Sequence, residues 1–237
     1  MTPSLVADSE TPVNWVRLTA RGEDTRAFLQ GQLSCDLDVS ATSSSIRGLL
    51  LTPSGDVVTT VHCREHAEGV DIVVREELAA TALTALRRFL LRTKCVIDEA
   101  GSVAGPYATL GDQVAAGEPG PLEFAHGLGP HSFGRGFVAS HVSFSKGCYT
   151  GQELVGRLDA RGGNVPFRLA RVNGDDLTLM ADVVSAGPSG ERAVQGLTTV
   201  VDDGGLRALA LVHRTLLAGQ STATIEGVAI ELLHEAS

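Results

Sequence analysis

The sequence predicts an α+β fold, with a mixed sheet-and-helix portion followed by a small C-terminal β-barrel. Three observations carry this reading. Short strands joined by tight turns run up to about residue 75, and a strand–helix–strand passage follows them. Glu77 to Leu91 holds the clearest amphipathic helix in the chain. Beyond residue 164 the chain breaks into short strands at regular turn spacing, which suggests a closed barrel of about 70 residues. The division falls into portions 1–164 and 165–237.

Composition bounds the function. At 237 residues the chain can bury a core, as one large domain or two to three small ones. Apolar residues make up 43% and aromatic residues 4%, with Trp15 the only tryptophan, so the core is expected to be aliphatic. A net charge of −9 gives no chain-wide attraction for nucleic acid. No apolar run approaches the roughly 18 residues that span a bilayer. Met1 to Asn14 lacks the basic-then-apolar pattern of a leader. The cysteines Cys35, Cys63, Cys95 and Cys148 form no C-x-x-C, which points to a reducing compartment. The expectation is a cytoplasmic protein with no direct nucleic-acid or membrane partner.

In chain order, Val13 to Thr19 reads as a strand and Glu23 to Leu33 as a helix with Phe28, Leu29 and Leu33 on its apolar side. Ser40 to Ser45 reads as a loop. Ile46–Thr52, Asp56–Arg64 and Gly69–Arg75 read as strands, the first two joined by the turn Pro53-Ser54-Gly55-Asp56. His62 and Cys63 face opposite sides of such a strand, so with His66 they do not make a metal site. Arg87, Arg88 and Arg92 suit the C-terminal end of the Glu77–Leu91 helix, and Lys94 to Asp98 returns as a strand. Ala100 to His141 is rich in glycine and proline, with one short strand at Tyr107 to Leu110; His126, His131 and His141 read as loop or surface residues. Its glycines do not follow a strand and open a helix, so no dinucleotide or phosphate loop is present. Val165–Asn173, Ala181–Ala186, Arg192–Val201, Leu206–His213 and two runs after Gln220 read as strands.

The stretch Lys146-Gly147-Cys148-Tyr149-Thr150-Gly151-Gln152-Glu153 carries the most chemistry. Thr150 reads as an N-cap and Glu153 as its capping-box partner, with Leu154, Val155 and Leu158 at helical spacing and Gly162-Gly163 as the stop. Cys148 and Tyr149 then sit in a loop before a helix N-terminus, with Lys146 alongside. Two readings stand at this point. A thiol beside an ammonium and a helix N-terminus ionises readily and favours anionic ligands. Alternatively the stretch only caps and turns, and Cys148 is a small buried hydrophobe.

This stretch resembles the signature of the YgfZ family, folate-binding relatives of the glycine-cleavage aminomethyltransferase. Phe28-Leu29-Gln30-Gly31-Gln32-Leu33 with Asp36, Leu86 to Lys94, and Val194 to Thr199 are similar to further family words. The resemblance runs from Val13 to the C-terminus and is poorest over Ala100 to His141. Relatives there carry a longer segment, with an Arg-containing helix and an acidic motif that this chain does not match. The resemblance implies β-rich and ferredoxin-like parts, a C-terminal barrel, and a central channel that takes tetrahydrofolate or a one-carbon derivative. It implies support of iron–sulfur cluster assembly or repair, and through that of tRNA modification, with iron–sulfur proteins or their assembly machinery as partners. Cys148 would be the functional thiol, and Lys146 would hold its charge or that of an anionic ligand. Tyr149, Gln152, Glu153, Arg157, Gln32 and Asp36 would line or shape the folate site, Glu153 mainly as a cap. No complete acid–base set can be assembled, which favours an accessory factor over a stand-alone enzyme. The alternatives are an aminomethyltransferase, or a scaffold that keeps the fold without folate.

Overall fold

Alternation of apolar and polar residues builds two sheets, and the segment between them fills the space they enclose. The computed structural model describes residues 5–38, 45–185, 197–202 and 205–235. The first sheet comprises β2 (Trp15–Arg21), β3 (Ile46–Leu51), β4 (Val57–His66), β5 (Gly69–Arg75) and β6 (Val96–Val103). Its strands are antiparallel in the order β3-β4-β5-β2-β6. These are close to the strands read from sequence, whereas the short N-terminal β1 (Leu5–Asp8) was not foreseen.

Each strand sends alternate residues to opposite layers. Val16, Leu18 and Ala20 of β2 and Val70, Ile72 and Val74 of β5 pack under α1 (Thr25–Gln32) and α2 (Glu76–Arg87). The helices contribute Phe28, Leu29, Ala79, Ala82 and Leu86 to this layer. The opposite face presents Trp15, Leu49, Leu51 and Val57 to a second core.

The segment read as loop supplies the phenylalanines of that second core. It folds into α3 (Leu110–Ala116), α4 (Pro121–Phe124), a 3-10 turn (Pro130–Phe133) and α5 (Arg135–His141). Phe124, Phe133 and Phe137 stack edge-on or tilted at 5.3–5.4 Å between the sheets. The short strand expected at Tyr107 to Leu110 is corrected. Thr109 caps α3 in a reciprocal box with Asp112, so Leu110 starts a helix. His131 and His141, read as surface residues, are buried between the sheets.

Beyond α6 (Gln152–Ala160) lie β7 (Phe167–Gly174), α7 (Leu177–Ser185), β8 (Leu197–Asp202), β9 (Gly205–His213), β10 (Thr222–Ile225) and β11 (Val228–Leu232). The second sheet runs β1-β8-β9-β7-β11-β10, antiparallel except where β1 joins β8 in parallel. Leu169, Val200, Leu209 and Leu211 face the first sheet, while Ala170, Val172, Ala208, Ala210 and Val212 face α7. The strand expected at Ala181 to Ala186 is helix to Ser185, because Leu177, Met180, Ala181 and Val184 follow helical spacing and Met180 seals the outer core. The expected turn at Gly187 to Gly190 and most of the Ser40–Ser45 loop lie outside the described residues.

Candidate functional site

A helix leaves the carbonyls of its last turn without partners. At the end of α1 these are supplied from a loop more than a hundred residues away. The Lys146 ammonium donates to the carbonyl oxygens of Gln30 (2.6 Å), Leu33 (2.7 Å) and Cys35 (2.7 Å). The Thr150 N–H donates to the Gly31 carbonyl at 3.0 Å, and the Thr150 hydroxyl to Gln32 Oε1 at 3.1 Å. The cation meets the negative end of the helix dipole there. The two words singled out in the sequence thus form one joint.

This arrangement corrects the capping box. Gly151 is the N-cap of α6 in the left-handed region at φ 82°, with no side-chain cap. Its missing side chain matters, since a Cβ there would lie 2.6 Å from the Thr52 carbonyl oxygen. Thr150 is turned to Gln32 instead, and Glu153 pairs with Arg157 across one turn of the exposed face. Gln152 opens α6, half-buried. Asp36 accepts from Gln30 Nε2 at 2.7 Å, and that bond lowers its pKa. Gln32 and Asp36 therefore border the joint, whereas Glu153 and Arg157 lie on an outer helical face.

The reactive residues of the motif separate. Cys148 is exposed, while Cys35, Cys63 and Cys95 are buried. Lys146 is buried, its ammonium 5.2 Å from the centre of the Tyr149 ring. Burial lowers its pKa, against the opposing pull of Cys35, Asp36 and Asp38. Tyr149 is buried with its hydroxyl unpartnered, and burial pushes it up to about 12.

A second group of polar side chains, not foreseen as a site, meets where the sheets face each other. His62 stands on β4 beside Trp15, the rings edge-on at 5.9 Å. The Trp15 indole N–H donates to the Tyr107 carbonyl at 2.9 Å. His141 ends α5, stacked on Phe137 at 4.2 Å. Its Nδ1 lies 2.9 Å from the Phe137 carbonyl oxygen, which can only accept, so Nδ1 carries the proton and Nε2 is bare. That Nε2 faces Glu118 Oε1 at 3.8 Å, too far for a hydrogen bond. His62 Nε2, His141 Nε2 and Glu118 Oε1 are all buried without partners.

Burial sets the protonation of this group. It depresses His62 and His141 to about 4 and raises Glu118 to about 7. The Arg47 guanidinium acts on all three and on Tyr107, opposing the rise at Glu118. Near neutral pH the interior holds two neutral imidazoles beside a carboxyl at its midpoint, a set able both to donate and to accept. Sequence reasoning missed Glu118, Tyr107 and His141 because they lie in the glycine-rich segment. The Thr109–Asp112 capping box and Gly117, a left-handed helix stop, were the readable signals there.

No family model matches the chain. It is 28% identical over 89 residues to the tRNA-modifying protein YgfZ of Hamiltonella defensa subsp. Acyrthosiphon pisum. It is 27% identical over 90 residues to that of Photobacterium profundum. Each match covers 38% of this chain, and the chain spans only 26% and 27% of those relatives. The crystal structure of the glycine cleavage system aminomethyltransferase T from Bartonella henselae superposes with a TM-score of 0.58 over 96% of this chain and 86% of that one, at 11% identity. The chain is thus similar in sequence, over 38% of its length, to the tRNA-modifying protein YgfZ, and it has the fold of the glycine-cleavage aminomethyltransferase.

Proposed function

We propose that this protein binds tetrahydrofolate or a one-carbon derivative between its two sheets and supports iron–sulfur cluster assembly or repair, and through it tRNA modification. The observation that carries the folate part is the set of unpartnered polar atoms on His62, His141 and Glu118, enclosed by Trp15 and Phe137. A reduced pterin needs flat apolar neighbours and a group that satisfies its amide and amino edge. Trp15 and Phe137 offer the first, and a Glu118 carboxyl with a pKa of about 7 offers the second. The anionic glutamyl tail of a folate matches the exposed guanidinium of Arg47, whose charge already acts on the group. When bound, the folate supplies a one-carbon carrier; the chain supplies enclosure, proton placement and exclusion of water.

The iron–sulfur part rests on Cys148, the exposed thiol at the head of α6, and on the family resemblance of the motif around it, while the names of the relatives support only the link to tRNA modification. Lys146 serves in this reading by fixing the loop that presents the thiol. Gln32, Asp36, Tyr149 and Gln152 belong to the same loop and joint, where they shape the approach to Cys148. Arg157 and Glu153 face outward as a pair available to a partner protein.

Anaerobic calorimetry with tetrahydrofolate tests the first part. Saturable micromolar binding is expected, weakened at least roughly tenfold by Glu118→Gln as a polar edge contact is lost. Absence of binding by the wild-type chain overturns the folate reading and leaves a scaffold. For the thiol, a Cys148→Ala chain that fully restores iron–sulfur enzyme activity in cells overturns its role.

A further inference from the structure

We infer that the turn between α2 and β6 is a docking surface for an acidic, Leu- or Phe-bearing segment of a partner protein. Phe89, Leu91 and Val96 are exposed there together, Leu91 at 84%. The turn closes through the Thr93 N–H on the Leu90 carbonyl at 3.2 Å, which puts Leu91 and Arg92 at its two tip positions. Arg92 adopts φ 62°, the left-handed region that such a turn normally fills with glycine or asparagine. The chain therefore holds a cation and a large apolar side chain at a strained tip, the reverse of what a merely structural turn favours.

Charge selects the occupant. Two neighbouring cations are already paired, Arg87 with Asp98 at 2.9 Å and Lys94 with Glu23 at 2.7 Å. Arg88 and Arg92 have no carboxylate partner among the described residues, and Arg88 lies 5.8 Å from the centre of the Phe89 ring. The guanidinium groups of Arg88 and Arg92 flank Phe89 and Leu91, which matches a short segment that sets acids beside apolar residues. Val96 opens β6, an edge strand, so no further strand among the described residues covers the patch. An anionic membrane calls for clusters of about four to eight cations, and the net charge of −9 opposes a polynucleotide. The surface is separate from the folate and thiol sites, so its fate does not depend on them.

The test is fluorescence anisotropy with a labelled peptide of about a dozen residues alternating Glu with Leu and Phe, the length such a surface would seat. Binding with a Kd of roughly 10–100 μM is expected, as for small transient interfaces. It should weaken about fivefold or more between 50 and 300 mM salt. Leu91→Ser and the pair Arg88→Glu with Arg92→Glu should each weaken it at least roughly tenfold. Arg92→Gly should also weaken it while keeping or raising the Tm, since glycine relieves the tip. No binding up to about 1 mM, binding indifferent to these variants, or tighter binding of oligouridylate or phosphatidylserine vesicles overturns the inference.

Discussion

Replacing Lys146 with methionine removes the ammonium, which lies 5.2 Å from the centre of the Tyr149 ring, and leaves an apolar side chain of similar length. Three hydrogen bonds are lost, to the carbonyls of Gln30, Leu33 and Cys35 at 2.6, 2.7 and 2.7 Å. A hydrogen bond involving a charged group contributes about 1.5–3 kcal/mol, and three from one nitrogen do not add in full. Sparing the ammonium its burial offsets a further part. A net loss of about 3 kcal/mol remains, which in a chain of this size is about 6–12 °C in Tm. Calorimetric melting measures it directly. A shift below about 1 °C would show that the carbonyls find water at little cost and that Lys146 is no clamp. The same variant separates clamp from activator. With its ammonium turned into α1, Lys146→Met should leave the alkylation rate of Cys148 within about twofold, whereas a tenfold drop would mean that the charge acts on the thiol.

Three further outcomes follow from the same geometry. Iodoacetamide should label the native chain once, at Cys148, and the urea-unfolded chain at all four cysteines by mass spectrometry; rapid native labelling of Cys35 or Cys63 would contradict their burial. Gly48→Ala would place a Cβ 2.4 Å from Cys35 Sγ. It should cost about 1–3 kcal/mol in urea unfolding, only partly recovered by adding Cys35→Ala, which removes Sγ but keeps Cys35 Cβ at 2.8 Å, and simple additivity of the two changes would refute the Sγ clash. Acid should destabilise the fold through His62 and His141, whose contribution is full above their unfolded value of 6.5 and lost as pH falls through about 4. Glu118 opposes them, its contribution present below 4.5 and lost as pH rises through about 7. At about 1.4 kcal/mol per pKa unit, two histidines against one carboxyl leave a net loss of about 3 kcal/mol between pH 7 and 4. Melts should show this and flatten in His62→Leu; equal acid sensitivity in that variant would exclude His62 as a source.

What could be read from the sequence divides by the distance over which each feature is determined. The strands from Ile46 to Arg75 and helix α2 were legible because each carries its period within its own length. α7 was misread because Val183 and Val184 favour strand locally, while the burial of Met180 against the second sheet decides for helix. The segment 100–141 was illegible for another reason. Its helices span four to seven residues, too few to show a period, and they are held by burial between the sheets. Glu118 and His141 therefore meet only in three dimensions.

The motif loop shows how far local pattern misleads. Thr150 and Glu153 satisfy the capping-box spacing, yet the hydroxyl goes to Gln32, 118 residues away, and the carboxylate to Arg157. Lys146 lies two residues from the thiol, yet its ammonium serves a helix end 111–116 residues upstream. An eight-residue word that looks like a set of reagents is thus largely a joint between α1 and α6, with Cys148 its one reactive side chain left to solvent. Loss of function on changing Lys146 or Thr150 would consequently report the joint as much as any chemistry. Cys148→Ser, which alters neither carbonyl pairing nor packing, is the change that isolates the thiol, and it should leave the Tm within about 1 °C while abolishing whatever the thiol performs.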